Sequence, residues 1–303
     1  FYPCKNLKAH SSKFLIKANK IKENFILACY TFAKISRSKM NKITINTLFA
    51  KKANEKIVML TAYDALFARL FDDIVDMILV GDSLNMSFGG NDETISLSLE
   101  AMIYHACAVK KAVKHAYLVV DMPFGSCVSV DLALKNAIKV YQKTGCDAIK
   151  IEGGAEFAPI ITALNNAGIS VMSHIGLKPQ YSRQMGGFKV QGINNAQALL
   201  DDAKILEDAG AKMLLVEGTI AQVATQITQN SNLPVIGIGS GANTDGQVLV
   251  WSDMLGFFEN FKPKFVKQFL NGADLVRQSV NEYAKQVRSG EFPSSQHEYK
   301  FQG

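Results

Sequence analysis

The chain has 303 residues, 48% of them hydrophobic and 20% charged, enough to bury a large core in one or two domains. Its net charge of +6 sits in the first 39 residues, which hold nine of the 33 Lys and Arg and only Glu23 among the acids, leaving 24 bases against 26 acids in the rest. That body excludes a whole-protein basic face for nucleic acid, and no run reaches the roughly 18 apolar residues of a membrane span. The five cysteines, Cys4, Cys29, Cys107, Cys127 and Cys146, show neither metal spacing nor C-x-x-C, which points to the reducing cytoplasm.

Residues 1–39 are rich in Lys, Asn, Ile and Phe and give way at Met40 to "MNKITINTLFAKKANEKIVMLTAYD". The expectation is an extension outside the native fold, with translation starting at Met40. A transit peptide is disfavoured by the single Arg37, and a basic arm for nucleic acid or membrane is the other reading. No function is assigned to it, and residues 40–303 are expected to form one domain.

From residue 57 onward, strands and helices alternate with short connections, the pattern of a βα repeat and a parallel sheet. Apolar runs predict strands at 57–63, 76–81, 117–121, 147–151, 169–174, 213–216 and 234–238, with a short eighth, "DMLGF", at 253–257. Helices are predicted at 65–71, 98–114, 131–143, 156–167, 196–209 and 220–228, and a long one from Pro263 to about Val287. Eight parallel strands close a (βα)8 TIM barrel, whereas a dinucleotide-binding sheet needs G-x-G-x-x-G after its first strand, which is absent. "GIGSGANTDG" at 237–246 follows strand seven, where barrels often bind an anion; a plain glycine turn explains it equally well.

Four strand ends carry acids: Asp82 in "ILVGDS", Asp121 in "YLVVD", Glu152 in "AIKIE" and Glu217 in "MLLVE". Parallel strands point their C-terminal ends the same way, so these carboxylates gather on the face where barrels bind ligands. One such acid is usually a helix cap or ion-pair partner; three on successive strands, with no cluster of His or Cys, favour a hard cation, most plausibly Mg²⁺. Asp82, Asp121 and Glu152 are the expected ligands, any of them directly or through water. Lys150 shares a strand side with Glu152 and can grip a substrate carboxylate, while surrounding acids would keep its amine protonated and disfavour a Schiff base. Ser83 offers a hydroxyl, His174 lines the site without acting as base, and Glu217, away from the metal triad, is free for proton transfer. The set suits chelation of a 2-oxo acid, removal of a proton beside its carbonyl and formation of a metal-bound enolate that attacks a one-carbon or aldehyde electrophile.

The blocks "TAYDALFARLFDD", "LVGDSLNM", "DMPFGS", "AIKIEGG", "SHIGLKPQ", "GGFKVQG", "PVIGIGSG" and "RSGEFPSSQHEY" resemble the ketopantoate hydroxymethyltransferase family, also called 3-methyl-2-oxobutanoate hydroxymethyltransferase, over residues 40 to 297. The resemblance implies a Mg²⁺-dependent barrel of the phosphoenolpyruvate/pyruvate type, acting in pantothenate and coenzyme A biosynthesis. It implies transfer of a hydroxymethyl group from 5,10-methylenetetrahydrofolate to 3-methyl-2-oxobutanoate, giving ketopantoate. Metal ligands then fall on Asp82, Asp121 and Glu152, contacts to the oxo acid on Asp82, Ser83, Asp121 and Lys150, and the general acid/base on Glu217. A homo-oligomer, commonly a decamer, is also implied. Asn85, Asn91 and "TISLS" at 94–98 depart from the family pattern of Gly-Asp-Ser-Leu-Gly-Met, Gly-His-Asp and "TLPVT"; all lie in the loop after Asp82. Two rivals remain: a Mg²⁺-dependent lyase or mutase of the phosphoenolpyruvate mutase type, disfavoured because "DMPFGS" replaces its Asp-Ala-Asp-Thr-Gly-Tyr-Gly, and a catalytically silent barrel, which has no need to hold repelling acids together.

Overall fold

A computed structural model of the protein describes residues 41–259 and 263–300. The chain divides into two units, Phe1–Lys42 and Ile43–Gly303; the expectations for residues 1–39 lie outside the described residues. In the second unit, β1 (Ile57–Thr61), β2 (Met77–Val80), β3 (Tyr117–Asp121), β4 (Ala148–Glu152), β5 (Val171–Gly176), β6 (Met213–Glu217), β7 (Val235–Ile238) and β8 (Gly246–Leu249) form a closed barrel. Every neighbouring pair is parallel, and β8 closes onto β1 from Ile57↔Gly246 to Leu60↔Leu249.

Period-two alternation divides each strand between two layers. Met59, Met77, Leu79, Val119, Met172, Leu215, Ile236 and Val248 pack together in one buried cluster. The intervening residues, such as Ile78, Val120, Ile149, Ile151, Ile175 and Val216, pack with helix residues such as Met102, Val109, Ala137 and Leu164 in another. The first cluster is the barrel interior and the second is the layer between sheet and helices. The lower interior is apolar; at its upper, C-terminal end the inward positions are Asp121, Lys150, Glu152, His174 and Glu217.

A helix at Ile45–Lys51 precedes the barrel, capped by the Thr44 hydroxyl. Its Leu48 is fully buried in the interior cluster, and Lys52 beyond it pairs with Asp245 at 2.7 Å. Because Asp245 also accepts from the Val235 amide at 2.9 Å, this helix covers the end of the barrel where the strands begin.

The predicted strands and helices recur with shifted ends, and two differ in substance. The eighth strand is not 253–257 but Gly246–Leu249, while Trp251–Met254 is helical. Only Gly246 and Val248 of that strand are buried, so its pattern is too short and too polar to stand out beside "VLVWSDMLGF". Gly246 permits the closure: a Cβ there would press on the Ile57 carbonyl oxygen and lie 2.6 Å from Ile236 Cδ1. The long C-terminal helix begins at Gly272, not Pro263, and runs to Ser289; the Phe269 amide instead donates to the Met254 carbonyl at 2.8 Å.

A candidate active site of carboxylates, lysine and histidine

Strand pairing assembles the site. Asp121 lies beside Lys150 in register and Glu152 beside His174, while Gly176 faces Glu217. Lys150 Nζ stands 3.2 Å from Asp121 Oδ1 and 3.6 Å from Glu152 Oε1. It also lies 3.0 Å from His174 Nδ1, and His174 Nε2 lies 3.3 Å from Glu217 Oε2. The four strand ends β3 to β6 thus carry a row in which Lys150 and His174 link Asp121 and Glu152 to Glu217.

Asp82 follows β2 and joins this row from the side. Its backbone N–H donates to Asp121 Oδ2 at 2.8 Å, and its own Oδ2 accepts from Gln180 Nε2 at 2.8 Å. The next residue, Ser83, shares a 2.7 Å hydrogen bond with the buried Tyr63 hydroxyl, and Tyr63 is tethered by its carbonyl to His105 Nδ1 at 2.7 Å. Gln180 also donates to the Met122 carbonyl at 3.1 Å, and its backbone N–H to Glu152 Oε2 at 3.0 Å. Gln180 and Tyr63 were not among the candidates from sequence. Their only signal was position, Tyr63 just past β1 and Gln180 after Pro179 in "SHIGLKPQ", because both act from loops whose reach no strand period reveals.

The electrostatics follow from burying so much charge. Asp82, Asp121, Lys150, Glu152 and His174 are each 5% exposed or less. Desolvation, with repulsion from Glu152 and Asp121, pushes the Asp82 carboxyl well above its ordinary value. Desolvation also raises Asp121, against the pull of Lys150. Burial acts on Glu152 in the same direction, but the His174 and Lys150 charges outweigh it and hold Glu152 below the usual range. For Lys150 burial would lower the value, and Asp121, Glu152, Asp82 and Glu217 overcome it, so the amine keeps its proton. Desolvation and Lys150 pull His174 down, and Glu152 and Glu217 lift it further than that. The Lys150 ammonium 3.0 Å from Nδ1 favours a proton on Nε2, the nitrogen that faces Glu217 at 3.3 Å.

Asp121 Oδ1 and Glu152 Oε1 are buried without a hydrogen-bond partner. With Asp82 they set three carboxylates against one ammonium, a deficit that a divalent cation offsets. Among the described residues no group of three or more His, Cys, Asp or Glu is already arranged as a metal cage. A cation that keeps waters and takes oxygens from its substrate, as Mg²⁺ does, needs no such cage.

The neighbouring loops are braced by their own bonds. Asn85 Nδ2 donates to the Glu93 carbonyl at 2.7 Å and to Ser96 Oγ at 2.9 Å, and Asn91 Nδ2 donates to Asn85 Oδ1 at 3.1 Å. Asn85 and Asn91, two of the three departures from the family pattern, thus brace the loop after Asp82. The glycine-rich segment after β7 is tied to its flanking strands: Gln247 Nε2 of β8 donates to the Gly241 carbonyl at 2.9 Å, and Ser240 Oγ to the Val216 carbonyl of β6 at 2.8 Å.

The profile of the family described as ketopantoate hydroxymethyltransferase matches residues 42–295. Among curated proteins, the 3-methyl-2-oxobutanoate hydroxymethyltransferase of Campylobacter fetus subsp. fetus is 62% identical over 86% of this chain and 99% of its own length. The enzyme of that name from Wolinella succinogenes is 54% identical over 86% of this chain and its entire length. Among solved structures, phosphonopyruvate hydrolase matches with a TM-score of 0.55 at 15% identity, over 86% of this chain and 92% of that one. A 2,3-dimethylmalate lyase of the PEP mutase/isocitrate lyase superfamily matches at 0.52 and 15%, over 87% and 93%. These last two share the barrel fold.

Proposed function

The chain belongs to the ketopantoate hydroxymethyltransferase family, and from that premise we propose that it converts 3-methyl-2-oxobutanoate to ketopantoate with 5,10-methylenetetrahydrofolate as donor, a step of pantothenate biosynthesis. The observation that carries this reading is the buried row from Asp121 through Lys150 and His174 to Glu217, which sets an ammonium and a carboxylate base on opposite sides of one imidazole.

Lys150, protonated and donor-only, binds the oxo acid's carboxylate, and the Ser83 hydroxyl, held by Tyr63, adds a second contact. Asp82, Asp121 and Glu152 would hold Mg²⁺, which when bound polarises the 2-oxo group and acidifies the neighbouring C3–H. Glu217 accepts the C3 proton; its side chain is 17% exposed, against 1% for Glu152, so it alone of the row's acids reaches the open mouth. His174 Nε2–H faces Glu217 and positions it. The C3 carbanion equivalent then forms its bond to the donor's methylene carbon. Both donor C–N bonds are replaced by N–H, and one water supplies the hydroxyl on the transferred carbon and one of those two protons. The other is the proton lost from C3, so the atoms balance.

The enzyme acts on small molecules, and the family's assembly leads us to propose a cytoplasmic homo-oligomer. Among the described residues no helix is long and apolar enough to cross a membrane. The helix Gly272–Ser289 leaves Val276, Val280, Tyr283 and Val287 about half exposed on one stripe, a face that a second copy would cover.

The test is proton NMR of 3-methyl-2-oxobutanoate in D₂O with protein and Mg²⁺, then with EDTA, then with methylenetetrahydrofolate. Metal-dependent loss of the C3 proton signal, and ketopantoate once donor is added, is the expected result; neither exchange nor product under any condition refutes the proposal. Glu152→Gln is expected to weaken Mg²⁺ binding, and Glu217→Gln to spare it while slowing exchange by about 100-fold or more. Equal Mg²⁺ affinities in the two variants would overturn this division of roles.

A further inference from the structure

Beside the acid row lies a cavity of about 330 Å³ that none of those acids lines. Its wall runs from Gly154, two residues past Glu152, to Gly176, the register partner of Glu217, and on to Lys178, Tyr181, Gln191 and Asp202. The Gln191 backbone is sewn to the strand end that carries Glu217: its N–H donates to the Gly218 carbonyl at 2.8 Å, and its carbonyl accepts from Ile220 at 3.0 Å. Tyr181 is shared with a smaller cavity, about 50 Å³, that includes Glu152 and Gln180. The larger cavity therefore adjoins both the base and the acid cluster without overlapping the place of the oxo acid.

Its volume is that of a small-ligand pocket, and its lining suits a flat heterocycle with a mixed donor and acceptor edge. Asp202 is half-buried, and its Oδ1 accepts from the Ala155 amide at 2.7 Å, so Oδ2 is left for a ligand. Partial burial raises this carboxyl above its ordinary value. A carboxylate pairs with adjacent N–H donors, a side-chain amide such as that of Gln184 complements the rest of such an edge, and an aromatic ring supplies a face. Lys178 Nζ, 4.7 Å above the Tyr181 ring centre, places a cation at the cavity wall.

We propose that this cavity receives the 2-amino-4-oxopteridine ring of the one-carbon donor, with Asp202 accepting from its ring N–H and amino group and the donor's acidic tail lying outside near Lys178. The inference rests on the hydroxymethyl transfer proposed above. It adds the residues that hold the second substrate, and it places the donor beside Glu217, where its methylene carbon must arrive.

Asp202→Asn keeps an oxygen for the Ala155 amide and turns an NH₂ group toward the ring's donors. Gln184→Ala, at an exposed position, is a second variant that removes no core contact. Tetrahydrofolate binding is measured by calorimetry, the donor's KM in turnover, and C3 proton exchange of the oxo acid with Mg²⁺ and no donor. The expected result for Asp202→Asn is a Kd for tetrahydrofolate and a KM for the donor each raised about tenfold or more, with exchange persisting; Gln184→Ala shifts both in the same direction by less. Wild-type affinity for tetrahydrofolate in both variants, with exchange intact, places the pteridine elsewhere and overturns the assignment. A wild-type protein that binds tetrahydrofolate but exchanges no C3 proton would overturn the transfer reaction itself, and this assignment with it.

Discussion

Lys150 is the residue on which the buried charge balance turns. Replacing it with Met leaves Asp121 and Glu152 facing each other without a cation, a change of the kind that costs about 3 kcal/mol or more. Lys150→Met is therefore expected to unfold at lower temperature, with Mg²⁺ restoring a larger share of stability than it adds to wild type; thermal melts with Mg²⁺ and with EDTA check this. Away from the site, desolvation alone raises half-buried Asp253 to about 6. The folded state then holds a proton that the unfolded chain has released between pH 4 and pH 6, so stability falls as pH rises through that window. Asp253→Asn is expected to be more stable than wild type at pH 7.5, by on the order of 1 kcal/mol after allowance for solvent screening, and the difference should vanish below pH 4 in urea melts. Lys150, Glu152, His174 and Glu217 were legible in the sequence because strand period and strand ends fix their direction. Gln180 and Tyr63 were not, since a loop residue's reach depends on where other loops lie.

At the scale of elements, the strands buried at all or nearly all positions announced themselves, and the one buried at only half of them went astray. The sequence "MILV" of β2 is buried at every position, whereas Gln247 of β8 faces solvent, and no propensity rule finds a four-residue strand with so little apolar surface. Its identity comes from closure, which is a property of the ring. Gly246→Ala tests this: a methyl group forced against the Ile57 carbonyl is expected to cost about 1–3 kcal/mol, read as a lower urea midpoint with an unchanged slope. Likewise the Gly272–Ser289 helix was placed nine residues too early, because the apolar residues ahead of it, Phe265, Val266, Phe269 and Leu270, lie in turns and irregular chain rather than on a helix.

For the molecule as a whole, the charged upper interior and apolar lower interior were foreseeable once eight parallel strands were, but an assembly leaves a weaker trace. The half-exposed stripe on Gly272–Ser289 predicts that light scattering finds a mass several times that of one 33.2 kDa chain. Val280→Asp, at the centre of the stripe, is expected to lower that mass. A monomer for the wild type would show that this face is simply wetted.

Among the described residues, the helix Ile45–Lys51, with Leu48 driven into the barrel from below, stops the end where the strands begin. The acid row then opens toward the C-terminal mouth, and substrates enter and leave on that side. If the oxo acid lies deeper and the donor beside the mouth, as proposed above, traffic runs last in, first out, and tetrahydrofolate departs ahead of ketopantoate. Steady-state kinetics should then show ketopantoate competing directly with 3-methyl-2-oxobutanoate at every donor concentration, as the last product out occupies the berth that the first substrate needs.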